Sequence, residues 1–96
     1  MAGFKIRCKV EEVGETQTVG NNGFQKREVI GQIEGEWPDF YKFEFVKDKT
    51  SIPDELIPGT YVTFHFNLNG KKVDSKKKDG EPMYFTTLQC WKVDIG

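Results

Sequence analysis

At 96 residues the chain can bury one sizeable core but not two, so a single domain over residues 1–96 is expected. Fourteen Lys and Arg against fifteen Asp and Glu leave a formal charge of −1, so net charge does not draw the molecule to polyanions. No apolar run approaches the roughly 18 residues of a membrane span, and MAGFKIRCKV carries charges where a signal peptide would be apolar, so a cytoplasmic protein is expected.

Helix signals are scarce, whereas period-two alternation recurs along the chain. Phe4, Ile6, Cys8 and Val10 share one face of a first strand, with Lys5, Arg7, Lys9 and Glu11 on the other. EEVGETQTV continues extended, and Gly14 suggests a bulge or bend that lets a long first strand serve two parts of a barrel. GNNG (20–23) supplies residues that tolerate positive φ and turns the chain into a second strand, FQKREVIGQI, in which Gly31 suggests another bend.

EGEWPDF is a polar connection to a third strand that places Tyr41, Phe43 and Phe45 inward. In KDKTSIPDELIPG, Pro53 and Pro58 leave room for one helical turn. YVTFHFNL follows with Val62, Phe64, Phe66 and Leu68 inward and Tyr61, Thr63, His65 and Asn67 outward. NGKKVDSKKKDGEP is expected to link this strand to a fifth, YFTTLQCWKV. This order predicts an all-β fold, a five-stranded OB-fold barrel with a short helical turn between strands three and four.

Two groups of residues carry the candidate chemistry. Lys71, Lys72, Lys76, Lys77 and Lys78 outnumber Asp74 and Asp79 in the fourth-to-fifth connection, a local charge of +3. A solvated hairpin tip and a phosphate-binding arm both fit that charge. In OB-folds, however, the loops joining strands one to two and four to five flank the ligand groove. Phe24, followed by Lys26 and Arg27, opens the second strand. The face holding Val29 and Ile33 is the more apolar, so Phe24 and Lys26 are expected outside it, where rings stack on bases and cations follow phosphates. Trp37, Phe40 and Lys42 form a second cluster; a one-residue slip would exchange Phe40 for Tyr41, and Phe40 is preferred. Trp91 is assigned to the core, and Tyr84 is left open between core and groove.

Cys8 and Cys90 lie in apolar strand contexts without a CxxC pattern and are expected as buried reduced thiols. His65 is the single histidine, so no metal or other cofactor is expected. No glycine-rich phosphate loop precedes a helix and no nucleophile–base pairing is visible, so no enzyme is expected.

The chain resembles the single-stranded-DNA-binding OB-fold family, and within it the small OB-like proteins of Bacteroides-type bacteria and their phages. The resemblance spans nearly the whole length through FKIRCKVEEV, GFQKREVIGQI, FEFVKDK, PGTYVTFHFNL and DGEPMYFTTLQCWKV. It implies base stacking on Phe40 or Tyr41 with Lys42 as the cation that follows, and basic contacts from Lys71, Lys72, Lys76, Lys77 and Lys78. Two departures are visible: no tryptophan occurs in the last hairpin loop, and the sequence ends at Gly96 without an acidic tail, so recruitment of repair enzymes by such a tail is not expected.

The expected function is therefore non-catalytic binding of single-stranded DNA in replication, recombination or repair, with RNA fitting the same stacking and phosphate chemistry. One groove should bind weakly, so a homo-oligomer is expected, with Thr63 and His65 as candidate interface residues. The alternative is an OB-fold protein-interaction module; an oligosaccharide ligand is disfavoured by the lysine arm.

Overall fold

A computed structural model of the protein describes residues 3–20, 23–73 and 82–95. Six strands and one 3-10 helix follow in the order β1 (Gly3–Val13), β2 (Gln17–Val19), β3 (Phe24–Ile33), β4 (Asp39–Val46), the 3-10 helix (Lys47–Glu55), β5 (Tyr61–Val73) and β6 (Met83–Ile95). The sheet runs β1-β5-β6-β4-β3-β2, and a further β1–β3 pairing closes a ring of five strands from which β2 projects as a hairpin partner of β3. All ladders are antiparallel except β4–β6, a short parallel contact of Phe43 with Leu88 and Glu44 with Gln89. This is the OB-fold barrel predicted from the strand order.

The first strand serves two parts of the ring. Residues 3–9 pair with β5, and Lys9 to Val13 pair with β3. The register shift between them falls between Val10 and Glu12, earlier than the bend expected at Gly14. Gly14 instead donates its N–H to the Glu28 carbonyl at 2.9 Å. At Gly31 a Cβ would lie 3.0 Å from both Cys8 Cβ and Phe43 Cε2, so the close approach of β1, β3 and the aromatic core requires glycine there.

Alternation explains the core. Cys8, Val10, Val29, Phe43, Phe45, Val62, Phe64, Phe66 and Cys90 point inward and are buried, joined by Leu56 from the segment after the 3-10 helix. Phe43 lies between Phe64, stacked at 4.1 Å between centroids, and Phe66, edge-on at 5.5 Å. Both cysteines are free, and burial raises their thiol pKa values to about 11 at Cys8 and about 12 at Cys90, which keeps them protonated at neutral pH.

Three expectations are corrected. The helical segment is longer than one turn: a 3-10 helix spans Lys47–Glu55 and contains Pro53, with Thr50 Oγ1 bonded to the Lys47 carbonyl at 3.0 Å. Leu68, expected inside, is 49% exposed: among the described residues the last β1 partner on β5 is Asn67, and beyond it the described neighbour of β5 is β6. Trp91, assigned to the core, is 41% exposed. Phe66 pairs with Cys90 and His65 with Lys92, so Trp91 is the extra residue of a bulge that breaks the inward–outward alternation; its ring rests against His65. Among the described residues no helix is long and apolar enough to cross a membrane.

Candidate nucleic-acid interface

The outer face of β3 and β4 is built by their register. Lys26 lies opposite Val46, Glu28 opposite Glu44, Ile30 opposite Lys42, and Gln32 opposite Phe40. Glu28 and Glu44 would repel as directly opposed like charges. Lys26 bridges both at 3.6 Å, and Lys42 reaches Glu28 at 3.6 Å, so the centre of this face is charge-balanced. Lys26 and Lys42 are outside the core as expected, but each already faces a carboxylate.

Phe24 stands near one end of this face, cross-strand from Val19 and outside the core cluster. With Val19, Gly20, Gly23, Gln25 and Lys47 it lines an open hollow of about 670 Å³. Gly20 and Gly23 have φ of 75° and 68°, as the GNNG hairpin requires. Lys47 has φ 56°, a left-handed conformation uncommon for lysine, and brings a cation beside Phe24. No sequence signal marks Lys47, because composition carries no sign of a positive φ at a non-glycine residue. Near the other end, Phe40 and Trp37 are both exposed, with Glu34, Glu36 and Asp39 around them.

Arg27 does not join Phe24 and Lys26. Its guanidinium bonds the Gly14 carbonyl at 2.8 Å, the Thr50 carbonyl at 3.1 Å and Asp54 at 2.6 Å, clamping the 3-10 helix to the bend after β1. The strand alternation puts it on the Val29 face, and the partners that hold it come from distant parts of the sequence. Arg27, expected beside Phe24 and Lys26, is thus placed on the opposite face with its guanidinium engaged within the fold.

Beyond Leu68 and Leu88, where β4 still lies beside β6, the described parts of β5 and β6 continue as a two-stranded arm as far as Val73 and Met83. NGKKV, expected in a loop, is thus strand. Lys71 lies opposite Phe85 and Lys72 opposite Tyr84, on alternate faces of the arm. Tyr84 is 70% exposed, and Phe85 is exposed as well. Each face therefore pairs a cation with a ring, although the loop contains no tryptophan. The sequence holds this signal only in the hairpin register, which pairs KKV with MYF. Lys76, Lys77 and Lys78 lie outside the described residues.

A search of curated proteins found no sequence match. Solved structures do match the fold. The SSB domain of a Synechococcus sp. protein superposes with a TM-score of 0.70 at 16% identity, covering 98% of this chain and 94% of that one. The mitochondrial single-stranded DNA binding protein Rim1 of S. cerevisiae gives 0.73 at 8% identity, over 98% and 94% of the two chains. PriB of Ralstonia solanacearum gives 0.69 at 11% identity, over 100% and 99%. A family model described as a domain of unknown function, DUF3127, matches residues 5–94, and the chain belongs to that family.

Proposed function

We propose that this protein binds single-stranded DNA without catalysing a reaction, in the replication, recombination or repair of a bacterium or its phage. The observation that carries the reading is the arm, where Lys71 with Phe85 and Lys72 with Tyr84 offer phosphate contact and base stacking on both faces. The likeness to an SSB domain and to a mitochondrial single-stranded DNA binding protein points the same way. Phe24 with Lys47 and Phe40 with Trp37 are the barrel's stacking candidates, Lys26 and Lys42 exchange their carboxylate partners for phosphate, and Lys76, Lys77 and Lys78 add charge. The narrower likeness to proteins of Bacteroides-type bacteria and phages, the cytoplasmic location and the homo-oligomer belong to this proposal. RNA fits the same chemistry.

Titration with oligo(dT), oligo(rU) and duplex DNA tests it. Three lysines neutralising phosphates on a single strand give log K a slope near −2 against log salt, at roughly −0.7 per contact. Preference for duplex, or a slope of zero, overturns the proposal, and light scattering reads the oligomer. A second reading, a protein-interaction module, draws on an apolar recess of about 230 Å³ at the base of the arm, rimmed by Phe4, Tyr41, Leu68 and Leu88. Absence of oligonucleotide binding would favour it.

A further inference from the structure

Among the described residues, three cations without a carboxylate partner lie together on the outer face of β1. Lys5, Arg7 and Lys9 alternate outward at steps of about 6.7 Å, and among the described residues no carboxylate pairs with any of them. Arg7 sits over the ring of Tyr61 on β5, 5.7 Å from its centroid, and that ring is exposed. Asp94, two strands away on β6 in the same row as Arg7 and Thr63, is taken by His65 at 2.7 Å and Lys92 at 3.7 Å; Glu11 ends the stripe.

The register joins this stripe to the β3–β4 face. Phe40 lies opposite Gln32, Gln32 opposite Lys9, and Lys9 opposite Tyr61. One outward row therefore crosses four strands, about 14 Å at the usual interstrand spacing. The segment that leads into Phe40 carries Glu34, Glu36 and Asp39, which repel a phosphate backbone, whereas across the strands Phe40 faces an amide and then a cation.

We propose, resting on the single-strand reading above, that a nucleic-acid strand leaving the β3–β4 face at Phe40 turns over Gln32 onto the outer face of β1. Lys9, Arg7 and Lys5 take its phosphates there, and Tyr61, backed by Arg7, stacks on a base. Thr63 and His65, the expected contacts of a homo-oligomer, lie opposite Arg7 and Lys5 on this same face, so the nucleic-acid strand and a second copy compete for it. The homo-oligomer of the proposed function then forms through another face, and a second copy is the poorer occupant here. Two such faces placed together oppose three unpaired cations with three, whereas a strand supplies one negative charge per nucleotide and a π-face for the ring.

The test compares oligo(dT) of about 8 and about 16 nucleotides, within the range of OB-fold site sizes. Replacing Lys5, Arg7 and Lys9 together by Ser is expected to weaken the longer oligomer at least tenfold at low salt and to make its salt slope shallower by about 2, at roughly 0.7 per lost contact. Binding of the shorter oligomer should change less than twofold. Tyr61→Ala, which keeps the charges, should weaken the longer oligomer about tenfold with the slope unchanged. Equal losses on both lengths, or none on either, overturn the β1 path while leaving the groove reading intact. A change in molar mass without a change in affinity assigns the face to self-association and also overturns it. If the wild-type protein binds neither oligomer, the groove reading fails and this one with it. Thermal unfolding of each variant confirms that the barrel is intact.

Discussion

Strands β5 and β6 build two different things along their length. From Val62 to Phe66, β5 has β1 on one side and β6 on the other, and its inward residues are buried against Phe43. From Leu68 to Val73 its one neighbour among the described residues is β6, and apolar side chains such as Leu68, Met83, Tyr84 and Phe85 are exposed. The alternation is the same in both halves. What differs is whether a third strand lies alongside, and that decides whether an aromatic residue holds the fold together or remains available to a ligand.

Phe64→Ala gives the largest effect expected on the barrel side of this comparison. Phe64 is fully buried and stacked on Phe43, so truncation should cost about 3 to 5 kcal/mol of stability through lost burial and a residual cavity. Denaturant titration measures it. A loss under about 1 kcal/mol would mean that the barrel's interior is far looser than its packing implies.

Arg27→Ala probes the barrel at its closed end. The variant removes a charge-assisted clamp to Gly14, Thr50 and Asp54 and should cost about 2 kcal/mol, since hydrogen bonds to charged groups contribute on that scale. Its affinity for oligo(dT), measured well below the unfolding transition, should be unchanged. Loss of affinity at full stability would return Arg27 to the binding surface.

The arm is the converse. Tyr84→Ala should leave the melting curve within error of wild type and weaken single-strand binding by about 1 to 3 kcal/mol, the usual cost of one lost base–aromatic stack. Fluorescence titration and thermal unfolding on one sample measure both. If Tyr84→Ala melts as early as Phe64→Ala, the arm is part of the core and the contrast fails.

These contrasts explain which features the sequence made legible. Val62, Phe64 and Phe66 were readable as core because strand neighbours on both sides enforce strict alternation, and GNNG was readable as a turn because positive φ favours glycine. Leu68 was misplaced because its burial depends on which strand lies beside it, and the last described β1 partner of β5, Gly3 opposite Asn67, is 64 residues earlier in the chain. Trp91 was misplaced because one bulge residue reverses parity. Arg27 and the glutamates facing Lys26 and Lys42 depended on tertiary partners, and the lysine–aromatic pairs of the arm required a hairpin register that the sequence left unset. Local patterns carried the core, whereas the candidate site rested on relations between distant strands.

The smallest effect distinguishes the two halves by pH. On the barrel half, Asp94 bonds His65 Nε2 at 2.7 Å and lies near Lys92; where the arm leaves the barrel the corresponding contact is between the amides of Asn69 and Gln89, which do not titrate. The hydrogen bond from His65, with Lys92 nearby, lowers the Asp94 carboxyl below the ordinary range. A carboxyl held low in the folded state is ionised more readily there than in the unfolded chain. Its contribution is therefore present above the unfolded value, near pH 4, and is lost as the pH falls through the folded value. Because Asp94 is exposed, the effect should be small and should shrink further in high salt. Asp94→Asn is the control, since it keeps a polar partner for His65 but removes the titration. Between pH 7 and pH 3 the wild type should lose slightly more melting temperature than Asp94→Asn, and the protection of the Thr63 and His65 amides, corrected for the intrinsic pH dependence of exchange, should fall while that of Asn69 and Thr87 stays level relative to the global change. Equal acid sensitivity in the two proteins would show that the His65–Asp94 contact adds nothing to the barrel wall.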